Sequence, residues 1–265
     1  MPSSRRAHGG RHELGQNFLV DRRVVARITA LVPPGPVVEL GAGDGALTRQ
    51  LAGRGDALTA VELDPGRVAA LRRSLGGRAR VVQADMLRFR LDAAVPNVVS
   101  NVPFGITTPV LRHLLGQRAW STAVLLLQWE VARKRAAVGG TTLLTASWWP
   151  WYEFGLAGRV PASAFRPRPS VDGGILVISR RAAPLVPPAQ RGAYQRLVRD
   201  AFRGDRLQPV LGRVPPTPRR ELAAHGIDAG ARPRDLGPQA WAALHGATMA
   251  RSGRRPALER VPGAR

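Results

Sequence analysis

Cysteine is absent from this 265-residue chain, and lysine and acidic residues are scarce. Without thiols there can be no disulfide, no thiolate metal site and no cysteine nucleophile. Five scattered histidines show no metal-ligand spacing. No apolar run is long enough to cross a bilayer, and the first eleven residues lack a hydrophobic signal core. The expectation is a soluble cytoplasmic protein with neither a membrane nor a metal partner. Lys134 is the sole lysine, so the 40 basic residues are nearly all arginine, and against 18 Asp and Glu they leave a formal charge of +22. That excess is more than solubility requires and points to a polyanionic partner, most economically nucleic acid. Enrichment in Ala, Gly, Pro and Arg suggests GC-rich coding, so arginine usage alone is no evidence of bidentate phosphate binding. At 44% hydrophobic content the chain buries a real core, enough for one large or two modest domains.

Short β-rich runs at 37–40, 58–62, 81–83, 97–100 and 122–127 alternate with helical patterns. One helix carries Val24, Val25 and Ile28. The next has Asp64 as N-cap and Pro65 in its first turn, followed by Val68 and Leu71. A third starts at Thr108-Pro109 and sets Val110, Leu111, Leu114 and Leu115 on one face. Alternation of this kind predicts an α/β fold with a doubly wound, Rossmann-like parallel sheet. Residues 152–160 and 174–179, joined through a proline-rich stretch at 165–169, read as a closing hairpin-like pair. Beyond Arg181, Pro184, Pro187 and Pro188 mark a linker, after which Tyr194, Leu197, Val198, Ala201 and Phe202 share a helix face. The expected organisation is a disordered basic arm (1–12), the α/β domain (13–180), a small C-terminal helical domain (181–250) and a disordered basic tail (251–265). There are no internal repeats.

The first of these strands runs into Glu39-Leu40-Gly41-Ala42-Gly43-Asp44-Gly45, a glycine loop preceding a helix. Its glycines allow a tight turn and close backbone approach of a ligand. The third glycine follows the second by two positions, not the three of the dinucleotide fingerprint. A pyrophosphate therefore fits less well than the amino-acid part of S-adenosyl-L-methionine. Glu62 ends the next strand, where an acid binds ribose hydroxyls, although nicotinamide enzymes use the same device. Asp85, after the third strand, is either an acceptor for the cofactor's adenine amino group or a helix N-cap.

The following strand ends in Asn101-Val102-Pro103-Phe104. An exocyclic amine is a poor nucleophile because its lone pair is delocalised into the ring. The Asn101 amide oxygen, helped by a neighbouring backbone carbonyl, can accept the amino hydrogens and favour a more pyramidal nitrogen. Pro103 fixes the turn, and Phe104 offers a flat face to an extruded base.

Together with Gly15-Gln16-Asn17-Phe18-Leu19 and the segments 128–135 and 165–172, these motifs resemble the rRNA adenine-N6 methyltransferases over residues 11–245. The resemblance implies an S-adenosyl-L-methionine-dependent enzyme whose helical domain binds RNA. Gly105-Ile106-Thr107-Thr108, Trp148-Trp149-Pro150-Trp151 and the arginine-rich tails look like the erythromycin-resistance branch. That branch methylates one adenine of 23S large-subunit rRNA at the macrolide site, and the partner it implies is that RNA before or during large-subunit assembly, met by a monomer. The alternative branch dimethylates small-subunit (16S) rRNA during ribosome assembly. Carried over by position, Asn17 and Leu19 contact the methionine end of the cofactor, and Gly41 and Gly43 form its loop. Glu62 takes the ribose, Asp85 the adenine, and Asn101 holds the target amine at the cofactor's edge.

Phe104 stacks on the target base where the family commonly has Tyr. Phe165 resembles a second aromatic beside the flipped nucleotide, with a core role as the competing reading. Arg133, Lys134 and Arg135, with Arg112 and Arg118, either grip phosphates beside the cleft or form a solvated helix face. The tryptophans at 148–151 read as core before stacking platform. Two rival classes remain: a non-catalytic RNA-binding assembly or transcription factor that keeps the fold, and a nicotinamide oxidoreductase. Intact Asn101 and Glu62 argue against the first, and the glycine spacing against the second.

Overall fold

The computed structural model describes residues 17–92 and 96–249. The terminal arms expected at 1–12 and 251–265 lie outside the described residues. Two compact units emerge: residues 17–136 with 154–180 form the first, and 137–153 with 181–249 the second.

The first unit opens with β1 (Phe18–Leu19), α1 (Arg22–Ala30), β2 (Val37–Leu40), α2 (Ala46–Ala52), β3 (Leu58–Glu62), α3 (Pro65–Leu75) and β4 (Arg80–Gln83). It continues through β5 (Asn97–Asn101), α4 (Thr107–Gly116), β6 (Thr122–Gln128), α5 (Trp129–Arg135), β7 (Tyr152–Val160), β8 (Phe165–Arg166) and β9 (Gly173–Arg180). Seven strands make one sheet in the order β4-β3-β2-β5-β6-β9-β7. Neighbours from β4 to β6 run parallel, and β9 joins β6 antiparallel. The chain winds outward from β2 to β4 and then returns to lay β5 on the other side of β2. This reversal leaves a crevice beyond the carboxyl ends of β2 and β5, where ligands bind in open α/β sheets.

Local chemistry accounts for the elements. The Asp21 carboxylate accepts from the Arg23 and Val24 amides at 2.8 and 3.2 Å, capping α1, whose Val24, Val25 and Ile28 are buried. Asp64 caps α3 through the Arg67 amide at 2.8 Å, Pro65 opens it, and Gly76 closes it in the left-handed region. The central strands are apolar on both faces, as covered parallel strands must be. Val98, Val99 and every residue from Ala123 to Leu127 are fully buried. Each such Val or Leu contributes roughly 1.5–3 kcal/mol of transfer free energy. The expected pair at 152–160 and 174–179 appears as neighbouring strands β7 and β9 at the sheet edge. The segment between them does more than connect: β8 pairs antiparallel with β1, Phe18 opposite Arg166 and Leu19 opposite Phe165.

The second unit holds α6 (Leu143–Trp148), α7 (Arg191–Ala201), α8 (Gln208–Leu211), α9 (Pro216–Ala224) and α10 (Pro238–Met249). The boundary read at 180 coincides with the end of β9, but residues 137–153 do not belong with the α/β unit as the domain assignment 13–180 expected. Their aromatics find partners further along the chain. Trp151 is buried edge-on against Tyr194 of α7 with ring centroids 5.4 Å apart, and its indole N–H donates to Val186 O at 2.9 Å. The Tyr194 hydroxyl donates to Ala146 O at 2.7 Å. The tryptophan cluster is therefore core at Trp151, with Trp148 and Trp149 half-buried. No helix among the described residues is long and apolar enough to cross a membrane.

Candidate cofactor and base site

The glycine loop leaves β2 with Gly41 at φ +73° and Gly43 at φ +54°, conformations that side chains rarely adopt. A Cβ on Gly41 would lie 2.2 Å from the Met86 methyl carbon, and one on Gly43 would lie 3.3 Å from the Phe18 ring. Space as well as torsion therefore restricts the loop. It is tied to β3 through Glu62, whose Oε2 accepts from the Gly43 amide at 2.7 Å. Oε1 of the same carboxylate accepts from the Leu63 and Asp64 amides at 2.8 and 2.9 Å. Three backbone donors offset the cost of burying this charge.

Glu39, on β2, lies between Ala60 of β3 and Val99 of β5 and is treated differently. It is fully buried, and its Oε2 has no hydrogen-bond partner. Burial, reinforced by the nearby Glu62 carboxylate, pushes its pKa up to about 8 against the weaker opposing pull of Thr48 and Arg49.

Asp85 closes a turn rather than opening a helix, its Oδ1 accepting from the Leu87 amide at 2.8 Å. No helix follows for it to cap, and the residue lines the cavity. Asn101, half-buried at the end of β5, donates from Nδ2 to Asn17 O at 2.9 Å. This bond orients the amide and leaves Oδ1 as its acceptor. Pro103 O accepts from the Ile106 amide at 3.0 Å, closing the turn that carries Phe104.

These elements enclose a cavity of about 310 Å³. Its lining brings together Asn17, Leu19, Gly41, Gly43, Glu62, Asp85, Asn101 and Phe104 from five separate stretches of chain. The remaining expected residues are placed elsewhere. Phe165 is fully buried and is not part of the lining. Its register opposite Leu19 turns it into the core, where it meets Phe104 edge-on with centroids 6.1 Å apart. Arg133, Lys134 and Arg135 lie on α5 outside the lining. Arg133 pairs with Glu130 at 3.2 Å, Lys134 is exposed, and Arg135 reaches Thr108 Oγ1 at 3.4 Å. Burial, followed by the Arg112 guanidinium, lowers the pKa of Arg135.

Three residues unassigned from the sequence also shape the site. Phe18 lines the cavity, and the Arg67 guanidinium sits 4.8 Å above its ring while pairing with Asp44 of the glycine loop at 3.3 Å. The third is Glu39. Phe18 lies inside a quoted motif and Glu39 at the head of the loop, but neither position signals its surroundings; Arg67 carried no signal. Among the described residues no group of three or more His, Asp or Glu could hold a metal ion.

The donor set fits S-adenosyl-L-methionine. The glycine cradle admits a closely approaching chain, and Glu62 and Asp85 accept from hydroxyl and amino groups. The volume is that of a small-molecule pocket.

Residues 7–244 match the family described as Ribosomal RNA adenine dimethylase. The chain is 53% identical over 262 residues to the mycinamicin-resistance protein MyrB of Micromonospora griseorubida, covering 92% of this chain and 84% of that one. It is 36% identical over 261 residues to ribosomal RNA small subunit methyltransferase A of Moorella thermoacetica, covering 88% and 91%. The crystal structure of the 23S rRNA methyltransferase ErmE superposes with a TM-score of 0.80 at 34% identity, covering 88% of this chain and 100% of that one. A glycine-loop cofactor cavity ending in an Asn-x-Pro-aromatic turn thus occurs in a chain that belongs to the rRNA adenine-N6-methyltransferase family, and the protein is an S-adenosyl-L-methionine-dependent member of it.

Proposed function

We propose that this enzyme methylates N6 of a specific adenine in 23S large-subunit rRNA and that the methyl group confers resistance to macrolide-type antibiotics. The observation that carries this reading is the 53% identity to a mycinamicin-resistance protein, against 36% to a small-subunit methyltransferase over nearly the same span. The enzyme acts as a cytoplasmic monomer, as the sequence suggested.

When bound, S-adenosyl-L-methionine supplies an electrophilic methyl group on a sulfonium centre. Asn17 and Leu19 hold its methionine end, Gly41 and Gly43 cradle it, Glu62 accepts from the ribose hydroxyls and Asp85 from the adenine amine. Asn101 Oδ1 accepts an amino hydrogen of the target adenine and favours the pyramidal nitrogen that attacks in line. Phe104 stacks on the extruded base, and Phe165 braces Phe104 from behind. No strong base is needed, because N6 becomes acidic once it carries the methyl group and a positive charge. Catalysis rests on positioning and polarisation. Arg133, Lys134 and Arg135 contact phosphates, which position the RNA without reading its sequence.

The test offers deproteinised large- and small-subunit rRNA separately with labelled cofactor and maps the product, alongside expression in a macrolide-sensitive strain. Methylation of one large-subunit adenine with raised macrolide resistance is expected. Added bulk and a lost N–H donor at the drug site weaken drug binding. Methylation of small-subunit RNA alone, with no resistance, would transfer the chain to the assembly branch. Undetectable cofactor binding would favour the non-catalytic reading.

A further inference from the structure

Outside the cofactor cavity, the carboxyl end of β6 carries an aromatic ring that two arginines approach. Trp129 is the first residue after β6, and Asn101 lies opposite Leu126 on the neighbouring strand. At about 3.3 Å of rise per residue, Trp129 stands on the order of 10 Å beyond Asn101 along the strand direction. The ring is held from the sheet side. A Cβ on Gly174 would lie 3.1 Å from Trp129 Cε3 and 2.7 Å from Ala132 Cβ, so α5 can pack this closely on β9 because that position has no side chain. The Trp129 amide donates to Asp172 O at 2.8 Å. The Asp172 carboxylate accepts from the Ala162 amide at 2.8 Å and from Arg159 Nε at 2.6 Å. One residue thereby fixes both the indole and a guanidinium. Arg159 of β7 lies 5.4 Å from the ring centroid and Arg133 of α5 lies 6.0 Å from it. From α1, Arg27 donates to Arg159 O at 2.8 Å and holds the β7 backbone in place.

Arg159 is held without being used up. Its side chain is 61% exposed, and the bond to Asp172 takes only Nε, leaving the terminal nitrogens without another hydrogen bond among the described residues. Arg133 is less exposed and spends its donors on Glu130. A guanidinium that rests on an indole and is pinned at Nε keeps the rest of its planar fork free, the geometry that meets a phosphate in two parallel bonds. Little conformational freedom remains to be lost when the partner arrives. We propose that Arg159, set in place by Trp129 and Asp172, binds a phosphate of the substrate RNA beside the extruded adenosine. A phosphodiester is favoured over an acidic peptide because the site stands at the same edge of the sheet as Asn101, in a chain whose family acts on rRNA. The inference rests on the chain methylating rRNA, from whichever subunit. A phosphate contact positions the RNA without reading its sequence, so Arg159 sets affinity and not the choice of adenine. Trp129 is a positioning residue that acts through Arg159.

The experiment uses the full chain and whichever deproteinised rRNA, large- or small-subunit, the wild-type enzyme methylates. Steady-state kinetics and RNA affinity over a series of salt concentrations are measured for Arg159→Gln, Arg159→Lys, Trp129→Leu and Trp129→Phe, with cofactor calorimetry and circular dichroism as checks on folding. Arg159→Gln is expected to raise KM for RNA by about tenfold or more, while kcat at saturating RNA falls far less. The slope of log affinity against log salt should drop by about 0.7–0.9, with cofactor affinity held. Arg159→Lys should keep the slope and recover only part of the affinity, since an ammonium cannot form the fork. Trp129→Leu should raise KM a few-fold at an unchanged slope, and Trp129→Phe should restore it. An unchanged KM and slope in Arg159→Gln overturns the proposal, as does a loss matched by equal loss of cofactor binding, which marks a structural role. If Arg159→Gln does not fold, Arg159→Lys decides: a kept slope with weakened affinity supports the proposal, and wild-type affinity or a lost slope overturns it. Methylation of small-subunit RNA would move the proposed function and leave this inference standing. Failure of the wild-type enzyme to bind either RNA would overturn both.

Discussion

Asn101 reaches the cavity with its amide nitrogen already held by Asn17 O, so its oxygen is aimed before any substrate arrives. Removing that oxygen should strike the transfer step harder than cofactor binding. Asn101→Ala is expected to abolish nearly all methyl transfer while cofactor affinity stays within a few-fold, read by single-turnover rates alongside calorimetry. Near-normal turnover would remove Asn101 from its assigned role. The two phenylalanines divide differently. Phe104 is half-buried on the cavity wall and Phe165 fully buried behind it. Phe104→Ala should lose roughly 1–3 kcal/mol of base stacking with little change in thermal stability, and Phe104→Tyr should be tolerated. Phe165→Ala should instead cost about 3–5 kcal/mol of folding stability. Denaturant unfolding and RNA-binding isotherms of both alanine variants separate these effects, and an unchanged Phe165→Ala unfolding curve would contradict its core placement.

Among the elements, the two-residue pairing of β1 with β8 is the piece that no local pattern announces. It places Phe18 and Leu19 at the cavity, Leu19 packing into the core behind it with Phe165. Arg67 of α3 holds this strand against the glycine loop, stacking on Phe18 and pairing with Asp44. Losing one partly exposed cation–π contact is worth about 0.5–1 kcal/mol. Arg67→Ala should therefore weaken cofactor binding by a few-fold and leave the folded state intact, as equilibrium binding and circular dichroism would register. Unaltered affinity would mean that Phe18 keeps its place without the guanidinium. The helices and parallel strands, by contrast, were legible in contiguous residues: Asp64 and Pro65 start α3, and the apolar run at 122–127 forms all but the last residue of β6.

For the molecule as a whole, a charge of +22 implies RNA binding that falls steeply with salt, through release of counterions from neutralised phosphates. The α5 residues should not contribute equally. Lys134 is exposed, whereas Arg133 is already paired with Glu130. Lys134→Gln is expected to reduce the slope of log affinity against log salt by about 0.7–0.9. Arg133→Gln should reduce it less, and neither should change the adenine that is methylated. Affinities measured over a series of salt concentrations, with product mapping, test this; a shifted target would mean that α5 reads sequence or structure.

The sequence by itself determined the alternation of strands and helices, the glycine loop, the acid that ends β3 and the one that follows β4, and the Asn-x-Pro-aromatic turn at the end of β5. These depend on backbone torsion, capping and short-range periodicity, which neighbouring residues carry among themselves. Tertiary structure decided what depends on residues distant in the chain. Phe165 became core because its pairing with Leu19 turned it inward, and residues 137–153 joined the helical unit because Trp151 and Ala146 meet Tyr194 and Val186 there. Glu39 stands in the same motif as Gly41 and Gly43, yet nothing in that motif shows that Glu62 collects the backbone donors while Glu39 is left with an unpartnered oxygen. Burial and charge compensation arise from the packing of β2, β3 and α2 around one carboxyl group, and only the folded chain brings those three together.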